Sequence, residues 1–140
     1  MRLVADANVL LSAIGGGRAR LALGHPMIEG VCAADAVYAE LREYLGSFAR
    51  RKGIPEDVMS MALATLPVTW VDGKEYEARL SEASRRIGGR DSDDVDTLAL
   101  AIHLKAPIWS NDHDFDDAGV QVYPTAKLLS LLGVRRRPGV

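Results

Sequence analysis

Four acidic residues, Asp6, Glu40, Asp94 and Asp112, stand where an α/β chain would gather them at one place. Asp6 ends the apolar run Met1-Arg2-Leu3-Val4-Ala5, and Asp112 closely follows Pro107-Ile108-Trp109. Glu40 and Asp94 fall on helical patterns. In open α/β sheets, sites form at the carboxyl ends of the strands, so acids placed there from distant parts of the chain converge. Converging carboxylates repel and raise each other's pKa values unless a cation neutralises them. Hard oxygen donors favour Mg²⁺ or Mn²⁺ as that cation.

Each acid also has a plainer reading. In a metal site Asn8 could hold Asp6 or a metal-bound water, but Asp6 taken alone could simply cap the helix that follows it. Glu40 lies among Val37, Leu41 and Tyr44, near an apolar face, where a carboxylate needs a partner; Arg42 is the simplest one. Asp91, Asp93, Asp94 and Asp96 crowd one helix start. The helix dipole accounts for one or two of these, but four acids so close destabilise one another. Asp94 shares helical spacing with Leu98 and Ala101, so it can reach inward. Asp112 and Asp114 flank His113, expected to be exposed, in Ser110-Asn111-Asp112-His113-Asp114-Phe115, which resembles a metal-coordinating turn. Ser110 could bond a metal-bound water or a phosphate, or simply end its strand.

The elements that must position these residues alternate between strand-like and helical runs, the pattern of βαβ units and a parallel sheet. Strands are expected at 2–5, 27–32, 68–71, 107–110 and 120–123. Helices are expected at 7–14, briefly through Leu21 and Leu23, at 35–52 with Asp35 as its N-cap, at 55–66, at 74–87, at 95–104 after Asp94, and from Pro124 onwards. Gly15-Gly16-Gly17 and Gly88-Gly89-Arg90 read as loops.

The chain has 140 residues, about half of them hydrophobic, which suits one compact domain over 1–133 with a frayed tail at 134–140. A single cysteine, Cys32, excludes an internal disulfide framework and reads as a buried strand thiol. No apolar run approaches the ~20 residues of a membrane span, and the start lacks a signal-peptide pattern, so a cytoplasmic protein without a membrane partner is expected. Basic residues fall in groups: Arg18 and Arg20; Arg50 to Lys52; Arg85, Arg86 and Arg90; Arg135 to Arg137. They read as solvated helix ends or as phosphate contacts around an acidic pocket.

In their order along the chain, these features resemble the PIN domain, a family of metal-dependent ribonucleases that includes the VapC-type toxins of bacterial and archaeal toxin–antitoxin pairs. The resemblance rests on Asp6-Ala7-Asn8 after the first strand, Ala39-Glu40-Leu41 on a helix, Asp94 opening an Ala-rich helix to Ala101, and Ser110 to Phe115 after a strand. It spans nearly the whole chain, and its register favours Asp94 over the adjacent Asp93. The stretches Asp91 to Asp94 and Ala106 to Asp112 are similar to a PIN subgroup other than the typical VapC toxins.

The resemblance implies a three-layer α/β/α sandwich with a mostly parallel sheet, one or two Mg²⁺ or Mn²⁺ ions, and endonucleolytic hydrolysis of RNA, as the toxin of a type II pair. By it, Asp6, Asp94 and Asp112 are direct or water-mediated ligands and Asp114 is auxiliary. Glu40 orients or deprotonates the attacking water or is a fourth ligand, and Asn8 and Ser110 support the shell. Arg18 and Arg20 are candidates for phosphate contact. The helices at 35–52 and 55–66, with Ile54, Met59, Met61 and Leu63, would form a clamp for a homodimer or an antitoxin. The competing readings are a PIN-domain RNA-processing nuclease outside any toxin pair, a non-catalytic RNA- or protein-binding module, and a phosphotransfer domain with Asp6 as nucleophile. The last lacks a second acid two residues on, where Asn8 stands, and lacks a lysine just after a strand end.

Overall fold

A computed structural model of the chain describes residues 1–88 and 92–134. The expected loop at Gly89-Arg90, together with Asp91, the Arg135 to Arg137 group and most of the tail, lies outside the described residues.

Five short strands form one parallel sheet: β1 (Arg2–Ala5), β2 (Gly30–Ala34), β3 (Val68–Val71), β4 (Ile108–Trp109) and β5 (Val122–Tyr123), in the order β3-β2-β1-β4-β5. Helices cover both faces, giving the expected three-layer α/β/α arrangement. They are α1 (Ala7–Ile14), α2 (Arg20–Leu23), α3 (Asp35–Lys52), α4 (Glu56–Ala64), α5 (Gly73–Tyr76), α6 (Leu80–Ile87), α7 (Ser92–Leu104) and α8 (Thr125–Leu131). A strand covered on both faces needs apolar residues at successive positions rather than alternate ones. Leu3, Val4 and Ala5 of β1 and Ile108 and Trp109 of β4 meet that need, all fully buried. Leu98, Ala99, Leu100 and Ala101 let α7 pack closely into the same core.

The chain runs outward from β1 to β2 and β3, then crosses back to place β4 on the other side of β1. The order therefore reverses between β1 and β4. Neighbouring strand ends feed connections of opposite direction there, which opens a crevice at their carboxyl ends.

Several boundaries differ from the sequence expectation. The second strand begins at Gly30, not residue 27, because His25 organises a turn: its Nδ1 accepts from the Met27 amide and its carbonyl from the Ile28 amide. The helix expected over 74–87 is broken into α5, a 3₁₀ turn at Glu77–Arg79, and α6. The break sits at Tyr76, whose fully buried ring directs its hydroxyl to Asp35 Oδ1 at 3.2 Å and Asp96 Oδ2 at 2.7 Å. Asp35 is accordingly not the N-cap of α3. Ala34 holds that position, while Asp35 accepts from Tyr76 and from the Gly73 amide. Helix α7 begins at Ser92, so Asp93 and Asp94 sit inside its first turn instead of ahead of it. The last two strands are shorter than 107–110 and 120–123. Cys32 lies on β2 but is only half-buried. Of the proposed clamp, Met59 and Leu63 belong to the core, Ile54 is half-buried, and Met61 is exposed.

Candidate functional site

Asp6 is the first residue past β1, and its amide still bonds across the sheet to the Trp109 carbonyl at 3.3 Å. One residue past β4, Ser110 donates its amide to the Tyr123 carbonyl at 3.1 Å. Sheet hydrogen bonds thus fix both residues before any side-chain contact forms. Their side chains then meet at the bottom of the crevice. The Ser110 hydroxyl donates to Asp6 Oδ2 and accepts from the Asp112 amide at 3.0 Å. Asp6 Oδ1 accepts from the Val9 amide at 3.1 Å, so Asp6 does cap α1, and its second oxygen serves the site. A serine at this position therefore joins two carboxylate-bearing segments. It does so inside the protein, fully buried, and not as a surface group reaching for a phosphate.

A cleft of about 220 Å³ lies above this floor, and Asp6, Asn8, Glu40, Asp94, Asp112 and Asp114 all line it. Glu40 comes from α3, Asp94 from α7, and Asp112 and Asp114 from the turn after β4. Asp93 lines the cleft as well, so the two adjacent aspartates share this wall. Asn8 Nδ2 donates to Asp112 Oδ2 at 3.3 Å, a contact across 104 residues. Asn8 thus steadies the opposite acid from the one expected.

Burial pushes the Asp6 carboxyl above its ordinary pKa of 3.8. The Ser110 hydroxyl and the Val9 amide oppose that shift, and the nearby Asp112 charge adds to it. A buried carboxyl raised by burial and by a neighbouring acid is an arrangement that a cation would relieve.

The donor set is entirely carboxylate, with asparagine and serine in support, and suits a hard divalent cation by chemistry. Among the described residues, no three acidic, His or Cys side chains already form a group that could hold a metal ion.

Neither Arg18 nor Arg20 lines this cleft. Arg18 instead edges a separate groove of about 790 Å³ with Ser12, Asn111 and Ser130. The three-glycine loop carries the chain away from α1 before either arginine appears, which is why proximity in sequence misled. Thr97, buried in the cleft wall, was not foreseen. The signal was available, since it lies three residues beyond Asp94 and so on the same helical face. His113 is exposed, as expected, and its Nδ1 lies 2.9 Å from Asp116 Oδ2.

The fold and cleft define an open-sheet α/β protein with an acidic crevice at its topological switch point. A family model for the PIN domain matches residues 4–133, and the chain belongs to that family. Two solved structures are similar in fold. VapBC2 from Rickettsia felis bound to a DNA fragment from their promoter is 13% identical, with a TM-score of 0.63 over 88% of this chain and 98% of that one. FitAcB from Neisseria gonorrhoeae is 17% identical, with a TM-score of 0.65 over 90% of this chain and 99% of that one. No curated protein matches the sequence.

Proposed function

We propose that this protein is a metal-dependent endoribonuclease that hydrolyses RNA phosphodiester bonds, acting as the toxin of a type II toxin–antitoxin pair. The observation that carries the chemistry is the convergence of Asp6, Glu40, Asp94, Asp112 and Asp114 on one cleft at the switch point. Family membership and the fold likeness to VapBC2 and FitAcB support the toxin role and an antitoxin partner.

Asp6, Asp94 and Asp112 would hold Mg²⁺ or Mn²⁺, with Asp114 as an auxiliary ligand. The bound cation supplies Lewis-acid stabilisation of developing charge and lowers the pKa of water. Ser110 favours and orients the Asp6 carboxylate, and Asn8 orients Asp112. Glu40, on the wall contributed by α3, accepts a proton from the attacking water. The homodimer is assigned to the α3–α4 face, where Val58 and Met61 are exposed. A strict monomer in light scattering would remove that assignment. No helix among the described residues is long and apolar enough to cross a membrane. Action on cellular RNA places the protein in the cytoplasm.

The test is cleavage of a mixed tRNA, rRNA and mRNA pool in Mg²⁺, Mn²⁺ or EDTA, beside Asp6→Asn. Discrete metal-dependent products that the variant fails to make are expected. Cleavage unchanged by Asp6→Asn would overturn the site. The toxin role predicts growth arrest on induced expression of the wild type but not of Asp6→Asn.

A further inference from the structure

We propose that a groove between α1 and α3 is the path of single-stranded RNA leaving the acidic cleft, with Tyr44 stacking a base and Arg51 and Lys52 holding phosphates. This rests on the nuclease reading and deepens it.

Three clefts adjoin one another. The acidic cleft shares Asn8 and Glu40 with a second of about 250 Å³, which Leu11, Tyr44 and Arg51 also line. The second shares Asn8 and Leu11 with a third of about 190 Å³, reaching Ser12, Gly15, Phe48 and Lys52. Helix α3 supplies one wall through Glu40, Tyr44, Phe48 and Arg51–Lys52. Steps of four, four and three or four residues place these on one helical face. From Glu40 to Lys52 the stripe is about 18 Å long at 1.5 Å per residue. That length matches about five stacked nucleotides at ~3.4 Å each.

The residues along the stripe change in the order an emerging strand requires. The acids stand where the reacting phosphate would meet a cation. Next comes Tyr44, 51% exposed despite its position beside the buried Leu41 and Leu45. An exposed aromatic face next to a groove is a platform on which any base can stack. Phe48 follows, buried against Gly15, where an added Cβ would come within 2.8 Å of its ring. The Arg51 guanidinium and the Lys52 ammonium lie over that ring, 5.6 and 5.7 Å from its centre. Cations in the last turn of a helix complement its dipole. The dipole does not explain two of them on one ring, with no ion pair to either among the described residues. Two positive charges held together at the groove edge form an anion site.

The test is fluorescence anisotropy of a 5′-fluorescein 12-nucleotide oligouridylate over a salt series in EDTA, where metal-dependent cleavage cannot occur. Arg51→Ala/Lys52→Ala should reduce the slope of log affinity against log salt by about 1.4, from about 0.7 per phosphate contact. Tyr44→Ala should weaken binding about tenfold, with Tyr44→Phe close to wild type. All these positions except the retained Phe48 are exposed, so the variants should fold, and circular dichroism checks this. Wild-type protein that fails to bind the RNA, or Tyr44→Ala and Arg51→Ala/Lys52→Ala proteins that bind it within twofold of wild type, would overturn the proposal. Variants that bind RNA normally but change oligomeric state would assign the groove to a protein contact, which also overturns it. Metal-dependent cleavage with unaffected variants would sink the path and leave the nuclease standing. Binding lost in the variants, with no metal-dependent cleavage by wild type, would do the reverse.

Discussion

Ser110→Ala tests the architecture of the site more sharply than loss of an acid. The hydroxyl makes two buried bonds, one donated to the Asp6 carboxylate and one accepted from the Asp112 amide. A bond to a charged group is worth about 1.5–3 kcal/mol and a neutral one about 0.5–1.5. Their joint loss should cost about 2–4 kcal/mol, a large share of the 5–15 kcal/mol typical of a domain. At about 3 °C per kcal/mol, the melting temperature should fall by about 6–12 °C. The pH dependence identifies the mechanism. Burial raises the Asp6 pKa above 3.8, so the ionised carboxyl costs the fold stability at neutral pH, a cost relieved as pH falls through its folded-state pKa. The Ser110 bond works in the opposite sense. It favours the carboxylate, so its contribution is present at neutral pH and declines as Asp6 protonates. Urea denaturation should therefore show the largest penalty at neutral pH and a smaller one towards about pH 4. A penalty independent of pH, or below about 0.5 kcal/mol, would refute the claim that Ser110 acts by sustaining a buried charge. Titrating Mn²⁺ into the same variant should show affinity lowered about 10–100-fold, the usual effect of losing a group that orients a ligand.

The remaining predictions concern the acid itself and the packing around it. Asp6→Asn should flatten the pH dependence of metal-free stability, because it removes the buried titrating charge and its Nδ2 can no longer accept from the Ser110 hydroxyl; urea denaturation across a pH series reads the slope, and an unchanged slope would contradict this. Burial, and next the bond to Asp96, push the Tyr76 phenol well above its ordinary pKa of 10. Of the four tyrosines, Tyr76 should stay protonated in an ultraviolet titration until the protein unfolds, and a full tyrosinate signal from folded protein would contradict this. Gly15→Ala should cost about 1–3 kcal/mol in chemical denaturation, because its Cβ would press on the Phe48 ring at 2.8 Å. Unchanged stability there would mean that the ring moves freely.

Most element types and the parallel α/β class were legible in local patterns, the break in the helix expected over 74–87 being the exception. Apolar runs such as Leu3-Val4-Ala5 and the periodic face of residues 35–52 carry local information that survives without tertiary context. The sequence also marked Asp6, Glu40, Asp94, Asp112 and Asp114, because an acid beside a strand end or on an apolar helical face is conspicuous wherever the chain goes. Tertiary structure decided what these residues do to one another. β1 and β4 lie about a hundred residues apart, and only their adjacency in the sheet brings Asn8 to Asp112 and Ser110 to Asp6. Asp35 looks like a cap from its neighbours alone, yet Tyr76 and Gly73, about forty residues later, draw its carboxylate away. Arg18 follows the site helix in sequence, but its loop directs it into another groove, while Arg51 and Lys52, three turns along α3 from Glu40, line two further clefts that adjoin the acidic one in series. The physical reason is the same in each case. Local preference selects a backbone conformation, whereas a side chain's partner depends on which distant element the core packs beside it.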